Sequence, residues 1–106
     1  MILDIACAGR FFLYIQFAMR YAWDENKRLS NIEKHGVDFV SAVDFEWRAS
    51  LVRASHSGAA EPRLMAMAPI RTRIHVLVFS IETRCVRIIS LRKANAREVI
   101  IYGSQK

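Results

Sequence analysis

Residues 23–39 read WDENKRLSNIEKHGVDF, and their punctuation sets the local fold. Asp24 stands where a helix would begin, and a carboxylate there accepts from the free amides of the first turn. Glu25 adds negative charge where the helix dipole favours it. The predicted helix runs to about His35. Leu29 and Ile32 mark its apolar side, while Lys27, Asn31 and Lys34 form one polar stripe at i, i+4 and i+7. Lys34 and His35 place cations in the last turn, and Gly36 supplies a left-handed stop. Asp38 then caps a second predicted helix over residues 39–47, with Phe39, Ala42, Val43 and Phe45 to Trp47 as its apolar contacts.

Working outward, Arg20 to Trp23 reads as a short edge strand. Residues 50–54 (SLVRA) form another strand candidate, and residues 55–62 (SHSGAAEP) are rich in turn residues and read as a loop. Three further strands are predicted over 63–68, 73–81 and 85–91, joined by connections of hairpin length at 69–72 and 82–84. Residues 94–102 suit a C-terminal helix that Gly103 would end, although Val99, Ile100 and Ile101 are weak helix formers. This order predicts an α+β domain. It has a short N-terminal strand, two helices, an antiparallel meander of about four strands and a closing helix, with helices on one face of the sheet.

At 106 residues the chain is long enough for one modest core. Its formal net charge of +6 is unevenly spread. Residues 1–47 hold five Lys or Arg against seven Asp or Glu, and residues 48–106 hold eleven against three. A basic half of this size attracts a polyanion, whether RNA, DNA, an acidic protein or an anionic membrane; a solvated basic surface is the plainer alternative. The apolar run near the N-terminus is interrupted by Asp4, Arg10 and Gln16, too short to span a bilayer and without the basic start of a signal peptide. Residues 1–18 read as an extension outside the domain, with Met19 as an alternative start and the domain itself at 19–106. An extra packed segment and a targeting segment are the other readings. Cys7 and Cys85 have no second thiol nearby in sequence, which argues against zinc or dithiol redox chemistry and suits the cytoplasm.

The strand cations carry the candidate chemistry. Strict alternation places Arg71, Arg73, His75, Leu77 and Phe79 on one face of their strand. On the next, Arg87 shares a face with Ile89 and Leu91, and Arg92 has the other parity but can reach round the strand end. Arginines converging from neighbouring strands suit a phosphate, because one guanidinium binds two of its oxygens. Metal-free RNA cleavage needs the pentavalent phosphate stabilised and protons moved at the 2′- and 5′-oxygens. Arginine serves the first need, and His, Lys or Glu the second. Each residue also has a plainer role. Arg87 can pair with Glu82 or Glu98, Arg92 and Lys93 can be surface charge beside a helix, and His75 can be a satisfied sheet histidine. Trp23 and Phe79 suit core packing better than base stacking. His35, His56 and His75 lack ligand spacing, so no metal or other cofactor is expected.

From about Met19 to Tyr102 the chain resembles the BrnT-type ribonuclease toxins. The residues that carry this are WDENK at 23–27, KHGVDF at 34–39 with Ala42 after it, EPRLMAMA at 61–68, RIHVLVF at 73–79, and VRIISLRKANAREV at 86–99 with Tyr102. The resemblance implies a RelE-like fold and a metal-independent endoribonuclease that cleaves RNA and blocks translation. It also implies a BrnA-like antitoxin that neutralises the toxin and binds operator DNA, so that the toxin meets DNA only through that complex, with no membrane involved. By the family pattern Lys27, Lys34 and His35 match the N-terminal motif, and Arg63, Arg87, Arg92 and Lys93 match later basic positions. The match does not assign their roles; from the strand geometry and chemistry above, Arg87, Arg92, His75 and Arg63 are the expected catalytic residues. Lys27, Lys34, His35, Arg73 and Lys93 are the expected RNA contacts. One departure stands out: the family's Thr-x-Arg-Gly-like turn is replaced by Ser80-Ile81-Glu82-Thr83-Arg84. An acid at Glu82 points to a weakened or degenerate toxin, or to a basic module that only binds an antitoxin or nucleic acid.

Overall fold

The computed structural model describes residues 20–55 and 63–105. The expected extension at 1–18, Met19, His56 and most of the 55–62 loop lie outside these residues. Strand β1 (Arg20–Ala22) leads into helix α1 (Glu25–His35). Two 3-10 turns follow, Phe39–Asp44 and Trp47–Ala49. Strands β2 (Leu51–Ala54), β3 (Leu64–Ile70), β4 (Arg73–Glu82) and β5 (Cys85–Lys93) come next, and helix α2 (Ala96–Gln105) closes the chain. The sheet order is β1-β5-β4-β3-β2, antiparallel throughout except that β1 runs parallel to β5. The expected α+β class, edge strand and meander are all present.

The caps form as read. Asp24 accepts from the amides of Asn26 and Lys27 at 2.8 and 3.2 Å. Gly36 takes the left-handed conformation at φ 69° and donates to the Ile32 carbonyl. The second helix differs from expectation: it is a 3-10 turn rather than an α-helix. Phe39, Ala42 and Phe45 are all fully buried. Their spacing of three matches the 3-10 period and would drift round an α-helix. Trp47 ends the segment in the core and donates its indole N–H to the Tyr21 hydroxyl at 2.7 Å, tying β1 to it.

The predicted polar stripe on α1 also changes meaning. Of Lys27, Asn31 and Lys34, the two lysines stay exposed and only Asn31 turns to the sheet. Asn31 is buried, and Leu29 is the exposed residue. The Asn31 amide donates to the carbonyls of Leu91 at 2.6 Å and Val37 at 2.9 Å, and accepts from the Leu91 N–H at 3.2 Å. β1 pairs with β5 only over Cys85–Arg87. Beyond that point Asn31 takes the place of a strand, satisfying backbone groups that burial would otherwise leave unpaired.

The main core lies on the face of the sheet covered by the α1 and 3-10 segments. It contains Phe39, Phe45, Trp47, Ala66, Leu77, Phe79, Val86, Ile88 and Leu91. Trp23 packs edge-on against Phe39, and Phe79 against Trp47, so both aromatics serve the core. On the opposite face α2 covers only one end, where Ile101 and Tyr102 pack with Met67 and Val76. Helix α2 begins in a reciprocal cap, with Asn95 and Glu98 each bonding the other's backbone amide at 3.0 and 2.8 Å. It runs through Gly103 rather than ending there.

Candidate nucleic-acid interface

The location of the site is decided by one irregularity. In β4 and β5, Val78 pairs with Ser90 but Phe79 pairs with Ile88, so Ile89 is an unpaired bulge residue. A bulge adds one residue to one strand and resets its alternation. Arg87 therefore faces away from Leu91, correcting the expected parity. It stands opposite Ser80 on one side and Ala22 on the other, on the face turned away from core residues Val86 and Ile88. Arg92 pairs with Val76 and faces the same way.

The same register places other cations there. Leu64 pairs with Phe79, so Arg63, one residue earlier, lies level with Ser80; the Ser55 N–H donates to its carbonyl at 2.9 Å, continuing the ladder. Arg53 alternates with core-facing Val52. Arg20 pairs with Cys85 and alternates with core-facing Tyr21. The face left uncovered by α2 thus carries Arg20, Arg53, Arg63 and Arg87. Among the described residues none of these four side chains has a hydrogen-bonding or ionic partner. A hollow of about 520 Å³, lined by Arg20, Tyr21, Ala22, Thr83, Arg84 and Cys85, opens at its edge. Glu82 also points to this face and dilutes the positive field.

Arg92 is differently placed. Its guanidinium is engaged by both oxygens of Glu98, at 2.7 and 2.8 Å. The pair holds the Glu98 carboxyl below its usual range and raises Arg92. Glu98 is thus the partner of Arg92, not of Arg87. Arg28 is neutralised in the same manner by Asp38, at 2.9 and 3.0 Å, with Glu25 as a second acceptor.

Arg73 and His75 lie on the other face, the one bearing the core, where His75 pairs with Lys93. The expected convergence of strand cations therefore fails for Arg73 and His75, which do not share a face with Arg63 and Arg87. His75 is buried, with Nδ1 2.8 Å from the Arg73 carbonyl, so Nδ1 carries the proton in that bond. Burial holds the imidazole below its ordinary pKa, aided by Lys93 and Arg73, and the bond to the carbonyl opposes the shift. Helix α1 runs beside β5 with Asn31 at Leu91, so its last turn, with exposed Lys34 and His35, lies towards the Lys93 end. Lys27 is exposed in the first turn. None of these three is brought into the row of Arg87. Arg20, Arg53 and Ser80 are additions that the sequence reading missed. Alternation along SLVRA offered a signal for Arg53, whereas Arg20 depends on a parallel pairing that no local pattern encodes.

A family model described as "Ribonuclease toxin, BrnT, of type II toxin-antitoxin system" matches residues 23–98. The chain belongs to the BrnT family. The 1.1 Å crystal structure of the Brucella abortus ribonuclease toxin BrnT is similar to it, with a TM-score of 0.59 and 31% sequence identity. That match covers 73% of this chain and 97% of the Brucella one. No curated protein matches. The BrnT match takes in Arg53, Arg63, Ser80, Arg87 and Arg92, with Arg20 just before it. No helix among the described residues is long and apolar enough to cross a membrane.

Proposed function

We propose that this BrnT-family chain is a metal-independent endoribonuclease toxin that binds RNA on the uncovered sheet face, with Arg87 at the phosphate that is cut. The observation carrying this reading is half-buried Arg87, without a partner among the described residues, level with Ser80 and Arg63 across the sheet and with Arg20 on the neighbouring strand. In the reaction the 2′-hydroxyl releases its proton to solvent as its oxygen bonds to phosphorus, and the bond to the 5′-oxygen breaks as that oxygen takes up a proton from solvent, leaving a cyclic phosphate. Negative charge gathers on the non-bridging oxygens in between. A guanidinium fixed on a strand of that face stabilises that charge as it develops. The other arginines hold the flanking phosphates, and Arg92 stays in reserve behind Glu98. Lys27, Lys34, His35, Arg73 and Lys93 belong to a second basic area for more distant RNA or for the antitoxin. His75 faces away from the Arg87 phosphate and is not assigned a proton transfer there. The protein acts in the cytoplasm, is neutralised by a BrnA-like antitoxin, and joins it in repressing their operon.

Glu82 on the RNA face and the Glu98 lock on Arg92 favour one alternative, a chain that binds without cutting. The test is induced expression of the full chain with and without the adjacent reading frame, following growth and total RNA. The expected result is arrest with RNA cleavage, relieved by the neighbour. Arg87→Ala should lower cleavage at least about 100-fold, in line with losing one transition-state donor, with an unchanged unfolding midpoint. Normal growth with folded protein supports the binding-only reading. Full activity of the variant moves the site elsewhere.

A further inference from the structure

Ser80 is 5% exposed, and its Oγ is buried with no hydrogen-bond partner among the described residues. A hydroxyl left so is costly, and an unpaired one calls for an explanation. It faces away from the core, directly opposite Arg87 and level with Arg63. A buried donor beside an uncompensated guanidinium is a seat for an oxyanion.

We infer that Ser80 Oγ and the Arg87 guanidinium together bind one RNA phosphate, with Arg63 flanking it. This rests on the RNA-face reading above and adds a ligand to it. The other guanidinium pairs in the molecule show that an oxyanion held in the fork still accepts from a further donor, as Glu98 does from the Asn95 N–H and Asp38 from the Val40 N–H. In Arg92–Glu98 and Arg28–Asp38 two carboxylate oxygens fill the guanidinium fork. A tetrahedral phosphate can fill the fork with two oxygens and still present a lone pair to the Ser80 hydroxyl. The cross-strand spacing of directly paired residues is short enough for one phosphate to touch both.

The test uses the full chain, a 2′-O-methyl RNA oligonucleotide that cannot be cut, and inorganic phosphate. Ser80→Ala should weaken oligonucleotide binding about tenfold, the equivalent of one charge-assisted hydrogen bond, and Ser80→Thr should retain it. Without anion, Ser80→Ala should unfold at the same or a higher temperature, since it removes an unsatisfied hydroxyl. It should also lose most of the stabilisation that added phosphate gives the unaltered protein. Ser80→Ala and Arg87→Ala should be non-additive in a double-mutant cycle. A less stable Ser80→Ala with unchanged affinity would overturn the seat and give Ser80 a structural role. Unchanged RNA binding with weakened binding of an acidic antitoxin would overturn it in favour of a protein carboxylate. If Arg87→Ala itself leaves RNA binding and cleavage intact, the RNA-face reading fails. If only Ser80→Ala is silent, the seat fails alone.

Discussion

On the helix-covered face of the sheet, Lys93, His75 and Arg73 stand at the rim of a packed aromatic core, and Asn31 closes the strand edge with three hydrogen bonds. On the other face, beyond the reach of α2, Arg20 on β1, Arg53 on β2, Arg63 just before β3 and Arg87 on β5 have no acidic partner among the described residues, and Arg87 stands opposite the orphan hydroxyl of Ser80 on β4. The cations that serve the fold are held by carboxylates, as Arg28 is by Asp38 and Arg92 by Glu98. Those on the open face are held by nothing described. Keeping four like charges on one face with only Glu82 among the described residues of that face to offset them costs stability, and an incoming polyanion removes that cost. The difference supports the proposed RNA face more directly than the total charge does.

The largest effect short of Arg87 itself is expected on the covered face. Asn31→Leu leaves the N–H and carbonyl of Leu91 buried without partners and should cost about 3 kcal/mol. It is read as a lower denaturant midpoint with an unchanged slope. RNA affinity measured well below the midpoint should not change. A loss of affinity in still-folded protein would break the division between the faces.

A smaller effect sharpens the division. Glu98→Gln keeps the α2 cap, because glutamine suits that position in a capping box, but it releases the charge of Arg92. Stability should fall by about 1 kcal/mol. The open face gains a free cation, so log affinity for single-stranded RNA against log salt should steepen by about 0.7. An unchanged salt slope would show that Arg92 cannot reach the RNA even when free. Smaller again is Arg84→Gly. Arg84 sits at φ 56° in the β4–β5 turn, a conformation that glycine adopts without strain. Introducing glycine here should raise stability by about 0.5–1 kcal/mol. No gain in the thermal midpoint would mean that the turn is relaxed with arginine.

Locally encoded features were legible in the sequence. The Asp24, Gly36 and Asp38 caps depend on residues within a few positions, and β4 and β5 carry their own β-branched residues. Features that depend on pairing were not. The Ile89 bulge turns Arg87 to the face opposite Leu91, and no residue near it announces an extra unpaired position. The burial of Asn31 follows from a contact with Leu91, 60 residues away. The parallel docking of Arg20–Ala22 on β5 likewise joins the two ends of the chain. Alternation alone thus joined His75 to Arg87, and the register separates them. The 3-10 turn was within reach, since Phe39, Ala42 and Phe45 repeat at three, but an apolar period of three is easily read as a short α-helix.

The least conspicuous expected effect lies at His75 and bears directly on the separation of the faces. Burial keeps its pKa below the ordinary value of 6.5, with Lys93 and Arg73 acting in the same direction. As pH falls below about 6.5, the unfolded chain takes up this proton before the folded one. Stability from this group is therefore complete above that pH and declines as the solution becomes more acidic, until the folded imidazole also titrates. His75→Gln removes the titration, so the acid-side loss of stability between pH 7 and 5 should become shallower. RNA cleavage by this variant should persist at neutral pH, because the imidazole faces away from the Arg87 phosphate. A flattened stability profile with cleavage intact fits a histidine that serves the sheet. Collapse of cleavage in a folded His75→Gln protein would put proton transfer on the covered face and undo the assignment of RNA to the open one.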